Sequence, residues 1–156
     1  MTKRLPRYAG HRAALLCAAI SCNYLQARAH ADAPPLRYSI DAAAGIVKDT
    51  RTGLTWQREV GEAKHTWAAA KDYCANLSLA GGGFRIPTVK ELLTLVEPTL
   101  ARPAIDRSAF PNTPAEPFWT ATPGRRTAGT AWYVEFVSGG AQNPGVNESY
   151  RVRCVR

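Results

Sequence analysis

Residues 83–96 read GFRIPTVKELLTLV and specify the start of a helix. Thr88 and Glu91 have the spacing of a capping box, in which the hydroxyl and the carboxylate bind backbone N–H groups that the first helical turn leaves without partners. Pro87 favours an extended backbone just before the cap, and a helix that begins there should end at Pro98. The residues expected on its core-facing side recur at helical spacing and are Val89, Leu92, Leu93 and Val96.

A second helix is predicted upstream of this one. Thr66 is a favoured helix cap, residues 67–77 are rich in alanine, and three glycines follow at 81–83. This pattern is typical of a helix with a defined start and end. The residues predicted to share its apolar face are Trp67, Ala70, Cys74 and Leu77. Cys74 should therefore point into the core.

Short alternating segments on both sides of the helices predict β-strands. Residues 45–48 and 54–57 flank a turn that contains Asp and Gly, which is typical of a β-hairpin, and Trp56 is expected in the core. The other predicted strands are 36–41, 118–121, 130–137 and 150–155. Residues 101–117 are rich in Pro and Asn and are expected to form a long irregular loop. The predicted fold class is α+β, a single domain with two helices, a small antiparallel sheet and long loops.

The first 31 residues have the features of a secretory signal peptide. A positively charged leader precedes a short apolar run at 13–20, and small-x-small triplets between 27 and 31 fit a cleavage site. The apolar run is too short to span a bilayer. We predict an exported protein, periplasmic or secreted and not transmembrane after cleavage, in which residues 32–45 form a spacer and the first strand. The alternative is a lipid anchor at Cys22.

Removing that segment changes the charge balance of the chain. The full sequence carries 20 Lys and Arg against 12 Asp and Glu, a net charge of +8. Five of the basic residues precede Asp32, so the rest of the chain carries +3. A nucleic-acid-binding domain usually concentrates basic side chains on one face. The modest excess that remains argues against nucleic acid as a partner.

Two of the four cysteines, Cys74 and Cys154, lie outside the predicted signal. In an oxidising compartment the simplest arrangement is that they pair. The disulfide would close a loop of about 80 residues, for which chain entropy alone gives ~4.5 kcal/mol of stabilisation. The alternative is a catalytic or metal-bound thiol, which is less favoured because neither cysteine stands in a CxxC motif.

Several motifs stand in a fixed order along the chain: TGLTWQ at 52–57, WAAA at 67–70, YC at 73–74, GFRIPTVKEL at 83–92, FWTA at 118–121 and RCVR at 153–156. Over about residues 46–156 they resemble the Lcl C-terminal domain family, bacterial exported domains named after the C-terminal region of a collagen-like adhesin. The resemblance implies a C-type-lectin-like fold, in which a disulfide ties the first helix, at Cys74, to the last strand, at Cys154. The namesake region is associated with sulfated polysaccharides and attachment to host surfaces.

The resemblance implies a non-catalytic binding module for a surface glycan or a sulfated or other anionic polymer, adhesin-like or associated with the envelope. The alternative is a structural or protein-interaction domain of the envelope with no small ligand. An enzyme is not expected, because beyond the predicted signal His65 is the one histidine and no serine is set beside a base. No cofactor is expected. The segments 142–144 and 147–148 offer oxygen ligands but not the motifs of calcium-binding lectins, so no metal is expected either.

The ligand-binding candidates are Arg85, Arg125, Arg126, Tyr133 and Arg151. Arginine presents a planar fork to sulfate and carboxylate groups, and a tyrosine ring can stack on a sugar. Tyr133 is chosen because it lies on the mixed face of its predicted strand, whereas Trp119 and Trp132 are expected in the core.

Alternatives stay open for the arginines. Arg85 could serve the fold by pairing with an acidic residue, and Arg153 could also be structural. Arg125 and Arg126 could be ordinary exposed surface.

Overall fold

The structure, a computed structural model, describes residues 36–156. These residues form short strands and two helices. The predicted signal peptide and its alternative lipid anchor at Cys22 lie outside the described residues. The elements are β1 (Tyr38–Asp41), β2 (Ile46–Asp49), β3 (Thr55–Gln57), α1 (Trp67–Ala75), a 3-10 turn (Leu79–Gly81), α2 (Val89–Leu93), β4 (Pro117–Pro123), β5 (Ala131–Glu135) and β6 (Ala141–Gln142). Among the described residues no helix combines the length and the apolar character that crossing a membrane requires.

The first sheet is antiparallel and has the order β1-β2-β3. The predicted hairpin is confirmed, because Lys48 lies opposite Thr55 across β2 and β3 and Gly53 takes the positive φ of 74° that the turn between them requires. The outer edge of β3 is covered by the C-terminal segment, since Thr55 N donates to Arg156 O at 2.8 Å and Gln57 N donates to Cys154 O at 2.9 Å. Among the described residues, β1 is therefore the open edge of this sheet.

The second sheet, β4-β5-β6, separates two clusters of buried side chains. Phe118 pairs with Val134, and both face the first cluster. Trp119 pairs with Tyr133, and both face the second cluster. Where the sequence predicts one small sheet, the structure has two three-stranded sheets, and the small α+β class is confirmed. The C-type-lectin-like assignment stays a prediction.

The predicted loop at 101–117 has no helix or strand up to residue 116, and Pro117 begins β4. This loop also supplies part of the first cluster. Ile105 and Phe110 are fully buried there, and Phe110 contacts Tyr38 edge to face with ring centroids 5.1 Å apart. The loop is therefore held in place by apolar burial as well as by its turns.

The segment 150–155, predicted as a strand, is not a regular strand. It forms isolated bridges with several different partners: Tyr150 with His65, Arg151 with Phe118, and Val155 with both Trp56 and Arg85. A regular strand of this length would pair with one neighbouring strand along its whole length. The third strand of the second sheet is instead β6, which pairs with β5 at Tyr133 and Val134.

The disulfide between Cys74 and Cys154 is confirmed, with the two Cα atoms 5.4 Å apart. It ties α1 to the C-terminal segment, and both cysteines are fully buried in the second cluster. The alternative of a free catalytic or metal-bound thiol at these positions is therefore wrong for this structure.

The first predicted helix is confirmed as α1. The Thr66 side chain accepts a hydrogen bond from Ala69 N, and Ala70 and Cys74 are buried as the spacing predicts.

The second predicted helix is shorter than the sequence indicates. α2 ends at Leu93, and the next backbone bonds have three-residue spacing, with Leu95 N donating to Leu92 O and Val96 N donating to Leu93 O, both at 3.1 Å. This tightening rotates the following side chains relative to a continuous α-helix. Leu95 is therefore buried, whereas Leu93, predicted to face the core, is 38% exposed.

The capping box at the start of α2 is confirmed and is reinforced by an arginine. Glu91 accepts hydrogen bonds from Thr88 N at 2.7 Å and from both terminal nitrogens of Arg85, at 2.9 and 2.6 Å. The bonds from Arg85, with those from Thr88, lower the pKa of Glu91 to about 2.

Replacing that carboxylate should weaken the fold in a pH-dependent way. We expect Glu91→Gln to lower the free energy of unfolding at neutral pH by about 1–2 kcal/mol, through the lost cap and ion pair. Because the folded-state pKa lies below the ordinary value of 4.5, the stabilisation is present above pH 4.5 and is lost as the pH falls toward about 2. Urea denaturation across this range measures the difference. Glu148→Gln, at an exposed position, is the control, and a gap between Glu91→Gln and the parent protein that persists unchanged at low pH would contradict the assignment.

Candidate functional site

Two of the candidate arginines, Arg85 and Arg151, are bound to carboxylates. The pair between Arg85 and Glu91 confirms the structural interpretation of Arg85. Arg151 Nε donates to Glu116 Oε2 at 2.8 Å, and Arg151 Nη1 donates to the backbone carbonyls of Gly61 and Glu62. Each guanidinium already has its own carboxylate partner, so the structure does not join the two into one free cationic patch. A ligand role for either stays a prediction.

Arg153 is fully buried and serves the fold, as predicted. Its Nη1 donates to Gln57 O and Arg58 O, both at 2.6 Å, and its Nη2 donates to Thr113 Oγ1 at 2.7 Å. The guanidinium carbon also lies 4.7 Å from the centre of the Phe110 ring. Burial lowers the pKa of Arg153 to about 9, so the group remains charged at neutral pH.

Tyr133, predicted on the mixed face of β5, is buried, although Glu135 on the same face is partly exposed. The side chain is 8% exposed, and its ring lies 5.0 Å from that of Tyr150 within the second cluster. Burial and the nearby carboxylate of Glu135 raise the pKa of its phenol. Trp119 is fully buried, as predicted, with its indole N–H donating to His65 O at 2.8 Å.

Trp132 is one of the aromatic side chains that the described structure leaves partly open. It was predicted in the core, but it is only half-buried and belongs to neither cluster. It lines a groove of about 350 Å³ together with Ala141, Gln142, Asn143 and Pro144. We call this the Trp132 groove. In the described part of the chain, the side-chain amides of Gln142 and Asn143 form no hydrogen bond, so both are open to a ligand.

The Arg125 and Arg126 side chains lie on the exposed loop 124–129, which borders the Trp132 groove. We call this the arginine loop. Gly124 N donates to Thr130 O at 2.8 Å, and a Cβ at position 124 would collide with Thr130 Oγ1 and lie 3.3 Å from Asn143 Nδ2. The start of the loop is therefore held directly against the groove.

The two guanidinium groups of the arginine loop differ from the other candidate arginines. Within residues 36–156, neither Arg125 nor Arg126 forms an ion pair. Their charges are therefore available to a ligand, and the loop that carries them begins at Gly124, next to the side-chain amide of Asn143 in the groove.

The arrangement suits the recognition of a sugar that carries an anionic group. An indole face can contact the apolar face of a pyranose ring, and side-chain amides can donate to and accept from hydroxyl groups. Guanidinium groups bind sulfate or carboxylate in a bidentate manner. In residues 36–156 no group of three or more His, Cys, Asp and Glu side chains is placed to hold a metal ion.

The family model of the Lcl C-terminal domain matches residues 45–156. The chain belongs to the Lcl C-terminal domain family. This agrees with the resemblance seen in the ordered motifs, and the start of the match lies within one residue of the expected boundary at Ile46. No curated protein matches the chain. The Lcl C-terminal domain of this chain includes the disulfide, the Trp132 groove and the arginine loop.

The Trp132 groove of this Lcl C-terminal domain is the part of the site that sequence reasoning missed. The sequence indicates the segment 142–144 only as a source of calcium ligands and predicts Trp132 in the core. A partial signal is present in the sequence, because Gln142 ends the short β6, Asn143 and Pro144 follow it, and the preceding strand β5 carries a tryptophan. Only the pairing of β5 with β6 brings them to one groove.

Proposed function

We propose that this Lcl C-terminal domain is an exported, non-catalytic module that binds a sulfated or carboxylated glycan in the Trp132 groove. The observation that carries the proposal is the half-buried indole of Trp132, open to solvent beside two amides and the arginine loop. The aromatic ring and the amides would select the sugar, and Arg125 and Arg126 would select its anionic group.

The proposal favours a charged glycan over a neutral one. Of the four candidate arginines, Arg85 and Arg151 are neutralised by carboxylates, whereas no ion pair within the described residues neutralises Arg125 and Arg126. Exposed guanidinium groups next to a groove raise the local concentration of anionic ligands and contribute a salt-dependent part of the affinity.

Attachment to a polysaccharide-bearing surface would follow from such a site, either as an adhesin or as an envelope-associated protein. The protein would act in the periplasm or outside the cell, and Cys22 would be the anchoring point if it carries a lipid. The alternative is a structural or protein-interaction domain of the envelope with no small ligand.

Removing the charges of the arginine loop should weaken binding to a sulfated oligosaccharide. We expect Arg125→Ala/Arg126→Ala to reduce the affinity for a heparin oligosaccharide by about tenfold to a hundredfold at about 50 mM salt, with a smaller effect at about 300 mM salt because exposed charges are then screened. Isothermal titration calorimetry at both salt concentrations measures the effect. The matched control is Arg51→Ala/Arg107→Ala, which removes two exposed arginines elsewhere.

The aromatic contribution is tested separately. Trp132→Ala should abolish measurable binding, whereas Trp132→Phe should retain part of it because a ring remains in the groove. Equal loss of affinity in the control pair and in the arginine-loop pair would mean that only net charge matters, and the proposed site would then be wrong. Binding that does not change with salt would contradict the role of the guanidinium groups.

A further inference from the structure

A second groove, of about 390 Å³, lies between β1 and the loop that follows α2. Among the described residues, the large hydrophobic side chains that are exposed are Leu36, Ile40, Leu93 and Leu100. Three of these four line the groove: Leu36 is 83% exposed, Ile40 45% and Leu100 44%. We call it the β1 groove. A concentration of exposed apolar side chains on a small domain marks an interaction surface.

The apolar side chains of β1 belong to the core-facing side of the first sheet. Tyr38 lies opposite Asp49 and Ile40 lies opposite Val47, and both of these β2 residues are fully buried. Side chains directly opposite each other lie on the same face of a sheet. The side chains of β1 therefore lie on the core-facing side of the sheet, but the rest of the described chain covers them only in part.

Within residues 36–156 no strand pairs with the outer edge of β1, so the backbone of β1 is open there. Thr50 N donates to Arg37 O at 2.8 Å, so the backbone groups of residue 37 point toward β2. In an antiparallel pair this direction alternates along the strand. The N–H and C=O groups of Tyr38 and Ile40 therefore point outward, toward the open edge, where another strand can bind them.

The charged side chains at the β1 groove indicate the sign of the charge that a partner should carry. Glu97 and Asp106 line the groove, and the one lining arginine, Arg37, is already bound by Asp49 at 2.8 Å. A second copy of this chain would bring the same two carboxylates toward each other, which is unfavourable. The lining therefore fits a partner with basic side chains.

We infer that the β1 groove binds an extended segment of another protein, added as a further strand at the edge of β1, whose aliphatic and basic side chains occur at every second position and so lie on the same face. The outward backbone groups of Tyr38 and Ile40 would pair with it. Its aliphatic side chains would cover Leu36, Ile40 and Leu100, and its Lys or Arg side chains would reach Glu97 and Asp106. This inference is independent of the proposed glycan site.

The test uses the purified protein and a short capped peptide with the repeat Val-Thr-Lys-Thr, which places valine and lysine on the same face of a strand, compared with one in which glutamate replaces each lysine. Isothermal titration calorimetry gives the affinities, and amide hydrogen exchange reports on the N–H groups of Tyr38 and Ile40. The variant is Ile40→Thr/Leu100→Ser, which keeps a β-branched residue in β1. The control is Leu93→Ser, which changes an exposed leucine outside the groove. Thermal denaturation confirms that each variant is folded.

We expect the lysine peptide to bind, to slow exchange at both N–H groups, and to bind at least about tenfold more tightly than the glutamate peptide. The groove variant should weaken binding by about tenfold or more, and Leu93→Ser and Arg125→Ala/Arg126→Ala should leave it unchanged.

Three results would overturn the inference. The first is no binding of the lysine peptide, and the second is binding that the groove variant does not weaken. The third is a concentration-dependent dimer that the groove variant abolishes, because the occupant would then be a second copy of the chain.

Discussion

Reducing the disulfide between Cys74 and Cys154 should lower the free energy of unfolding by about 2–5 kcal/mol. The bridge joins residues separated by 80 positions, and a long loop loses much conformational entropy in the unfolded state when it is closed. It also fixes α1, a helix of 9 residues, which is too short to be stable by itself in water. Because a small domain is stabilised by only about 5–15 kcal/mol in total, this single bond contributes a large share.

Urea denaturation with and without dithiothreitol measures this contribution. The control is Cys74→Ala/Cys154→Ala, whose stability should be lower and should not respond to the reductant. If the parent protein shows the same midpoint in both conditions, although mass spectrometry confirms that the bond is reduced, the disulfide contributes little and the first prediction is wrong.

Replacing Arg153 by methionine should destabilise the protein by about 2–4 kcal/mol. The substitution removes three hydrogen bonds from a charged donor, and such bonds contribute about 1.5–3 kcal/mol each. It leaves the carbonyls of Gln57 and Arg58 without those donors in the buried interior. Part of the loss is offset, since burying the guanidinium is itself unfavourable and its Nε has no partner within the described residues.

Arg153→Lys tests the geometry of this site. A lysine keeps the charge but cannot present the planar fork that reaches both carbonyls and Thr113, so we expect it to recover less than half of the lost stability. Arg51→Met, at an exposed position, is the control in chemical denaturation and should be neutral. A variant Arg153→Met as stable as the parent would show that the desolvation penalty cancels the three bonds.

The features that the sequence predicts well are local. The capping box at Thr88, the cap at Thr66 and the hairpin before Trp56 each depend on a few neighbouring residues, and all three are confirmed. The disulfide was predictable because only two cysteines remain outside the predicted signal. These signals require no knowledge of which elements are packed together.

The features that the sequence predicts badly depend on packing between distant segments. Alternation in β5 suggests one apolar and one mixed face, but the second sheet lies between two clusters, so Tyr133 is buried as well as Val134. The segment 150–155 has the composition of a strand, yet it is divided among several partners.

In the candidate site too, the local features are predictable from the sequence and the contacts between distant segments are not. The sequence predicts arginines as ligand-binding residues, and Arg125 and Arg126 lie on an exposed loop as expected. The sequence could not show that Glu91 and Glu116 bind Arg85 and Arg151, because the second of these pairs is 35 positions apart. It also could not place Trp132 beside Gln142 and Asn143 before the pairing of β5 and β6 was known.

The most direct test of glycan binding is an NMR titration that follows the indole N–H signals of the four tryptophans as a heparin oligosaccharide is added. The signal of Trp132 is identified by its absence in Trp132→Phe. If the ligand occupies the Trp132 groove, that signal shifts progressively to saturation, while the signal of the fully buried Trp56 stays in place. Saturable binding that leaves the Trp132 signal unmoved, or no binding at all, would contradict the proposed function.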